Sequence, residues 1–313
     1  MSANATVASA VIATHDRERG HRRRVLAAYL LFATLILGLA VHGFDYYTLS
    51  AADRPFSPKH VALRPSGAVG LKLGFLGLGM FLVIFLYPLR KRWAWLLRQG
   101  SAKHWLDFHV VLGIAAPFVI AFHASFKFRG FAGMAFWIMV SVSLSGIIGR
   151  YLYSQIPRSL SAAEISLKEL QDARQQLATQ LAKQHSLPGA DLKALLRLPT
   201  AEQVKRWPAV YALIYMLGLD LLRPFQIAKL RRHALTFAES IRSFGGMVKT
   251  GNLELEAAIA TARDEAALAK RILFLSRSQQ VFHLWHVVHK PFSYSFALLA
   301  IIHIVVVMMM GYF

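Results

Sequence analysis

The 313-residue chain has no cysteine. That excludes disulfides, thiol catalysis, cysteine-ligated iron–sulfur clusters and haem attached through a CxxCH sequence. Acidic residues are scarce, 16 Asp and Glu against 36 Lys and Arg, leaving a formal charge of +20. The cations gather at the ends of long apolar runs, where anionic lipid and topology account for them, so nucleic acid is not implied as a partner. A glycine-rich phosphate loop and a dinucleotide fingerprint are also missing. The one Gly-Gly pair, Gly245 with Gly246, follows a predicted helix and reads as its cap. The chain shows no substrate-level catalytic residue and no way to take hydride from a nicotinamide.

Apolar residues are abundant, at 56% of the chain. They predict an all-α, polytopic membrane helical bundle of about five transmembrane helices. The apolar stretches run approximately over Val25 to Tyr47, Gly70 to Leu89, Leu106 to Phe126, Phe131 to Tyr153 and Phe282 to Phe313. The first follows a basic segment and is long enough to span, so residues 1–24 read as a retained cytoplasmic tail and not as a cleavable signal. Arg17, Arg19, Arg22, Arg23 and Arg24 precede that span, and Arg90, Lys91, Arg92, Arg98 and Lys103 fill the loop after the second. The alternate loops carry fewer cations, chiefly Arg54, Lys59 and Arg64, then Lys127 and Arg129. The positive-inside rule then puts the N-terminus in the cytoplasm and the C-terminus outside.

Within this frame, His109 with His123 and His289 with His303 share a spacing of fourteen residues, inside the third and fifth spans. Fourteen residues are nearly four helical turns, so both members of a pair face one way, roughly 21 Å apart. With 13 histidines in the chain, about half of one such pair is expected by chance, so one would be weak evidence and two intramembrane pairs are strong. Spans three and five run in the same direction in this topology, which sets His109 against His289 on the cytoplasmic side and His123 against His303 on the outer side. Each imidazole pair is a candidate clamp for the iron of one non-covalent haem b. Gly113, Ala116 and Ile120 lie along one inter-ligand path, and Ser293, Phe296 and Ala300 along the other. The small residues leave room for a flat group or for close helix packing.

His283, His286 and His289 recur every three residues, so His286 is an alternative inner ligand. His42, beside Asp45, Tyr46 and Tyr47, is a candidate for a quinone site or for an ordinary interfacial polar cluster. A third haem through His42, His104 or His286 stays open. Asp107 is placed to orient an imidazole or to serve as a helix-start carboxylate. Arg150 is a candidate partner for a haem propionate on the inner side, with Lys127 and Arg129 in that role outside; interfacial anchoring is the alternative for all three.

From 156 to 281 the composition changes, with eighteen Lys and Arg against eleven Asp and Glu. This segment reads as a cytoplasmic helical insert before the last span. Residues 162–185 and 252–278 are predicted long amphipathic helices, the second continuing into span five. The apolar piece PAVYALIYMLGLDLLRPF contains Asp220 and is flanked by cations, so it reads as buried or interfacial, not as a sixth span.

The stretches SGIIGRYLYSQIPR, Ser145 to Arg158, and FHLWHVVHKPFSYSFALLAIIHIVVV, Phe282 to Val307, resemble a bacterial group of ferric-reductase-like membrane cytochromes b with a cytoplasmic insert before the last helix. The resemblance implies two stacked b haems in a bacterial inner membrane, and electron passage between a quinone or redox-protein partner on one side and an acceptor or donor on the other. No flavin or nicotinamide domain follows the last helix, so the resemblance implies an electron-transfer subunit of a larger oxidoreductase. The partner would be a cytochrome c or an iron–sulfur protein, with quinone as a further candidate. The alternative is a transporter of protons or metal ions using the intramembrane histidines, which calls for midplane acids or broken helices; spans three and five offer little beyond Pro117.

Overall fold

The structure, a computed structural model, describes residues 2–90, 92–156, 171–172, 175–176, 179, 188–235, 240 and 242–312, with side chains from residue 19 onward. Among these residues there are helices and turns and no strand. The longer helices are α1 (Ser2–His42), α2 (Ala68–Arg90), α3 (Ala102–His123), α4 (Gly130–Gln155), α5 (Gly189–Leu196), α6 (Ala209–His233) and α7 (Leu253–Met309). Most of the amphipathic helix expected over 162–185 lies outside the described residues.

The helix starts follow local chemistry. Ser101 caps α3 by accepting from the amide of His104, and the Asn252 side chain accepts from the Leu255 amide at the start of α7. Thr200 and Gln203 form a reciprocal capping box on the short helix Ala201–Arg206.

Among the described residues six helices are long and apolar enough to cross a membrane, and the chain is a multi-pass membrane protein. Five of the six overlap the expected stretches, the first, third and last ending at His42, His123 and Met309, short of the expected Tyr47, Phe126 and Phe313; the sixth is α6, which meets the length and hydropathy requirements despite Asp220. The first helix does not begin at Val25 but continues unbroken from Ser2, and α7 runs for 57 residues from the charged segment into the last apolar stretch. Pro291 lies within it and leaves the carbonyl of Val287 without its helical amide.

The chain forms two compact units. One comprises Met1–Ile148 with Val287–Phe313, the other Gly149–His286. The first packs around Leu73, Met80, Val119, Phe122, Phe136 and Met139. Its outward residues are apolar, as lipid-facing surface requires: Leu37, Leu82 and Ile301 are all more than half exposed. Its loops are tied by buried arginines. Arg54 donates to the carbonyls of Leu49, Tyr47 and Ser125, and Arg90 to those of Leu97 and Gly100.

The second unit packs α6 along the first part of α7, with Met216 against Ser278, Asp220 against Lys270, Arg223 against the Ala266 carbonyl and Arg231 against Glu256. Gly149 is required here, since a Cβ would lie 2.2 Å from the Trp285 ring. Gly245 and Gly246 both take positive φ, +67° and +86°, in the turn expected to be a cap.

Candidate functional site

The four paired histidines all belong to the first unit, and all are half-buried. Pro88 lacks an amide hydrogen, so the carbonyl of Ile84, four residues earlier, has no helical donor. His109 supplies one: its Nδ1 is 3.1 Å from that oxygen. His123 Nδ1 is 2.8 Å from the carbonyl oxygen of Gly70, in the first turn of the same helix. A carbonyl only accepts, so both rings carry their proton on Nδ1 and present the Nε2 lone pair.

His289 reaches the same state through a side chain. Its Nδ1 is 2.7 Å from Ser145 Oγ, and Ser145 spends its single proton on the Val142 carbonyl at 2.8 Å. The serine oxygen therefore accepts from the imidazole.

Contacts between helices fix the depths of these rings. The connection 124–129 reverses the chain between α3 and α4, and Ser143 Oγ donates to the carbonyl of Gly113 at 2.7 Å. Pro117 is the reason that oxygen is open, again four residues away. Two residues further along α4, Ser145 stands opposite about residue 111, so His289 lies within roughly 3 Å of His109 in depth. On the other side, Phe296 packs edge-on against Phe81 of α2, with ring centroids 5.5 Å apart. Phe81 lies between Ile84, at His109, and Gly74, at His123. Phe296 is midway between His289 and His303, so those two rings sit about 10 Å either way along the helix. His303 comes within electrostatic range of His123. The chain thus brings His289 to the level of His109 and His303 to the level of His123.

The walls suit a flat group. A Cβ at Gly113 would meet nothing within 4 Å, and one at Gly146 would lie 3.8 Å from His289 Cε1. At Gly74 a Cβ would press on the His123 ring at 2.8 Å from Cε1 and 2.9 Å from Nδ1, so only glycine admits the imidazole there. Imidazoles held through Nδ1 at His109, His123 and His289, with open space at Gly113, are donors that fit the axial clamp of a haem.

No family model, curated protein or solved structure matches the chain.

The remaining candidates take other places. His286 belongs to the second unit; its Nδ1 is 3.1 Å from the Phe282 carbonyl of its own helix, and its ring stands edge-on to Phe282 and Trp285. Arg150, also in that unit, holds its guanidinium over the Tyr153 ring at 6.0 Å. Lys127 and Arg129 are exposed on the loop after α3.

Asp107 orients an imidazole, but that of His21: Nε2 to Oδ2 is 2.9 Å, and His21 stacks on His104 with centroids 3.7 Å apart. His42 is exposed, and its carbonyl accepts from Lys59, which also pairs with Asp45 at 2.7 Å. Buried Tyr46 contacts His60 Nδ1 at 3.2 Å, while the Tyr47 hydroxyl is buried with no hydrogen-bond partner among the described residues. Burial pushes the Tyr47 phenol up to about 12, its neighbour Tyr46 adding to the effect.

Sequence reasoning missed Ser145, Gly74, Pro88 and Ser143. The prolines carried a usable signal, because each opens a carbonyl four residues upstream inside an apolar helix.

Proposed function

We propose that this protein is a diheme b-type cytochrome of the bacterial cytoplasmic membrane, with His109 and His289 as axial ligands on the cytoplasmic side and His123 and His303 on the outer side. The observation that carries the reading is the match in depth of the two histidine pairs, joined to the Nδ1 contacts that orient His109, His123 and His289. A haem held by two imidazoles is six-coordinate and supplies one-electron transfer with no open position for substrate. The chain's own residues do the rest. Ile84, Gly70 and Ser145 accept from the ligand rings and fix their tautomer. Gly113 and Gly146 keep side chains out of the space between helices.

The two ligand pairs are spaced roughly 21 Å along their helices, and haems held there would supply one-electron transfer across the hydrocarbon layer. The protein passes electrons between a quinone or redox-protein partner on one face, such as a cytochrome c or an iron–sulfur protein, and a donor or acceptor on the other. The resemblance carried by Ser145–Arg158 and Phe282–Val307 supports the same assignment, as an electron-transfer subunit of a larger oxidoreductase with its N-terminus in the cytoplasm.

The test is a reduced-minus-oxidised spectrum of the purified chain with low-temperature electron paramagnetic resonance. Bis-imidazole, low-spin b-type signals are expected. A chain that binds no haem when haem is supplied during expression overturns the proposal.

A further inference from the structure

Helix α6 is long enough to span, yet its packing partner forbids it. It lies along α7 from Met216 opposite Ser278 to Arg231 opposite Glu256. In that part of α7, Arg263 and Asp264 are each more than half exposed. Carrying them into hydrocarbon with α6 would leave charges facing lipid, which membranes tolerate poorly. The inward face of α6 is polar where it needs to be: Asp220 is held by Lys270, by the Tyr151 hydroxyl at 2.7 Å and by Arg223.

The opposite face is apolar and open. Val210, Tyr211, Ile214, Leu221, Leu222 and Phe225 are all exposed, and at 100° per residue they fall within an arc of about 120°. Ala228 continues the stripe at the angle of Val210 but is buried, because the turn at Gly246 sits on it: a Cβ at Gly246 would lie 2.2 Å from the Ala228 carbonyl oxygen. Arg231 clamps this turn through the Gly246 carbonyl while holding Glu256 with two hydrogen bonds. The turn extends the stripe with Phe244, Met247 and Val248, all more than half exposed, and Phe244 takes a positive φ of 50°. Exposed cations stand at both ends: Lys205 and Arg206 before α6, Arg232 in its last turn, and Arg242 and Lys249 beside the turn.

We infer that α6 and the 244–248 turn form a membrane-surface foot, lying flat with the apolar stripe in the headgroup boundary of an anionic leaflet and the cations on lipid phosphates. The partner is lipid and not a second protein, because the chain is already membrane-embedded and the exposed rim is mainly cationic, five Lys and Arg against Glu202 and Glu254, opposite in sign to anionic lipid. The inference does not depend on haem.

The absence of cysteine makes the test direct, since single substitutions are labelled without background. Ile214→Cys, Leu221→Cys and, as control, Asp264→Cys are made in the full chain, labelled with a polarity-sensitive fluorophore and reconstituted in phosphatidylcholine vesicles with and without phosphatidylglycerol. Positions 214 and 221 should shift to the blue and be quenched by a spin label high on the acyl chain more than by a deep one, more strongly with phosphatidylglycerol. Position 264 should stay water-like. In intact cells and inverted vesicles, Val210→Cys and Arg232→Cys should react with an impermeant maleimide from the same side. Labelling from opposite sides overturns the inference in favour of a sixth span. Water-like, unquenched emission at 214 and 221 overturns it in favour of solvent or a protein partner, and quenching at 264 overturns it as well.

Discussion

His109 donates from Nδ1 to the carbonyl oxygen of Ile84, the one oxygen in that stretch of α2 that Pro88 leaves without a helical amide. A helix break in one element thereby becomes the orienting contact for a candidate ligand in another. Pro88→Ala restores an amide to Ile84, and the two donors then share the oxygen. A weaker contact makes the imidazole less basic, so the reduction potential of the inner haem should rise while the outer is unchanged. Redox titration of the two components checks this.

At the outer site the sensitive position is Gly74. Gly74→Val places a side chain where the His123 ring lies, 2.8 Å from its Cε1, and the ring cannot move without losing Gly70. Outer haem content should fall to a small fraction of wild type, with the inner retained, read from the split of the low-temperature spectrum.

Ser145→Ala removes the acceptor of His289 Nδ1. Haem retention at the inner site should weaken about tenfold to a hundredfold, the usual range for a lost partner of a ligating histidine. Haem transfer to an apo-acceptor measures it.

These contacts mark the boundary of what the sequence made legible. The membrane class and five of the long apolar helices were readable because runs such as Leu106 to Phe126 have no soluble alternative. The continuity of α7 was readable too, from helical spacing that never lapses between Leu253 and the last span. What could not be read were pairings across distance. Ser145 and His289 are 144 positions apart, and Asp107 finds His21 on α1, 86 positions away, not the histidine beside it. The partners of Asp220 in α6, Lys270 and Tyr151, could not be read either, since they come from other elements 50 and 69 positions away.

In the second unit, Asp220→Asn strands Lys270, whose side chain is 4% exposed, without its counter-charge. Leaving a buried ion unpaired costs about 3–5 kcal/mol, so this variant should melt well below wild type. Adding Lys270→Met should recover part of the loss, because the pair together is worth less than either partner alone. Thermal unfolding in detergent compares the three.

Asp191 ties α5 to α6 by accepting from His233, at 2.5 Å, and that bond holds its carboxyl below the ordinary value of 3.8 against the opposing effect of burial, with Lys229 assisting. A lowered carboxylate contributes stability that is present above its unfolded pKa and lost as pH falls through the folded one. Hydrogen exchange over residues 189–196 should therefore quicken below about pH 4, and Asp191→Asn should remove that step.

Two haems held by two matched histidine pairs fix the haem count per chain. Pyridine haemochrome analysis should find two b haems in the wild type, one in His109→Ala, one in His123→Ala and none in the double variant. No haem in the wild type, or an unchanged count in either single variant, would contradict the account.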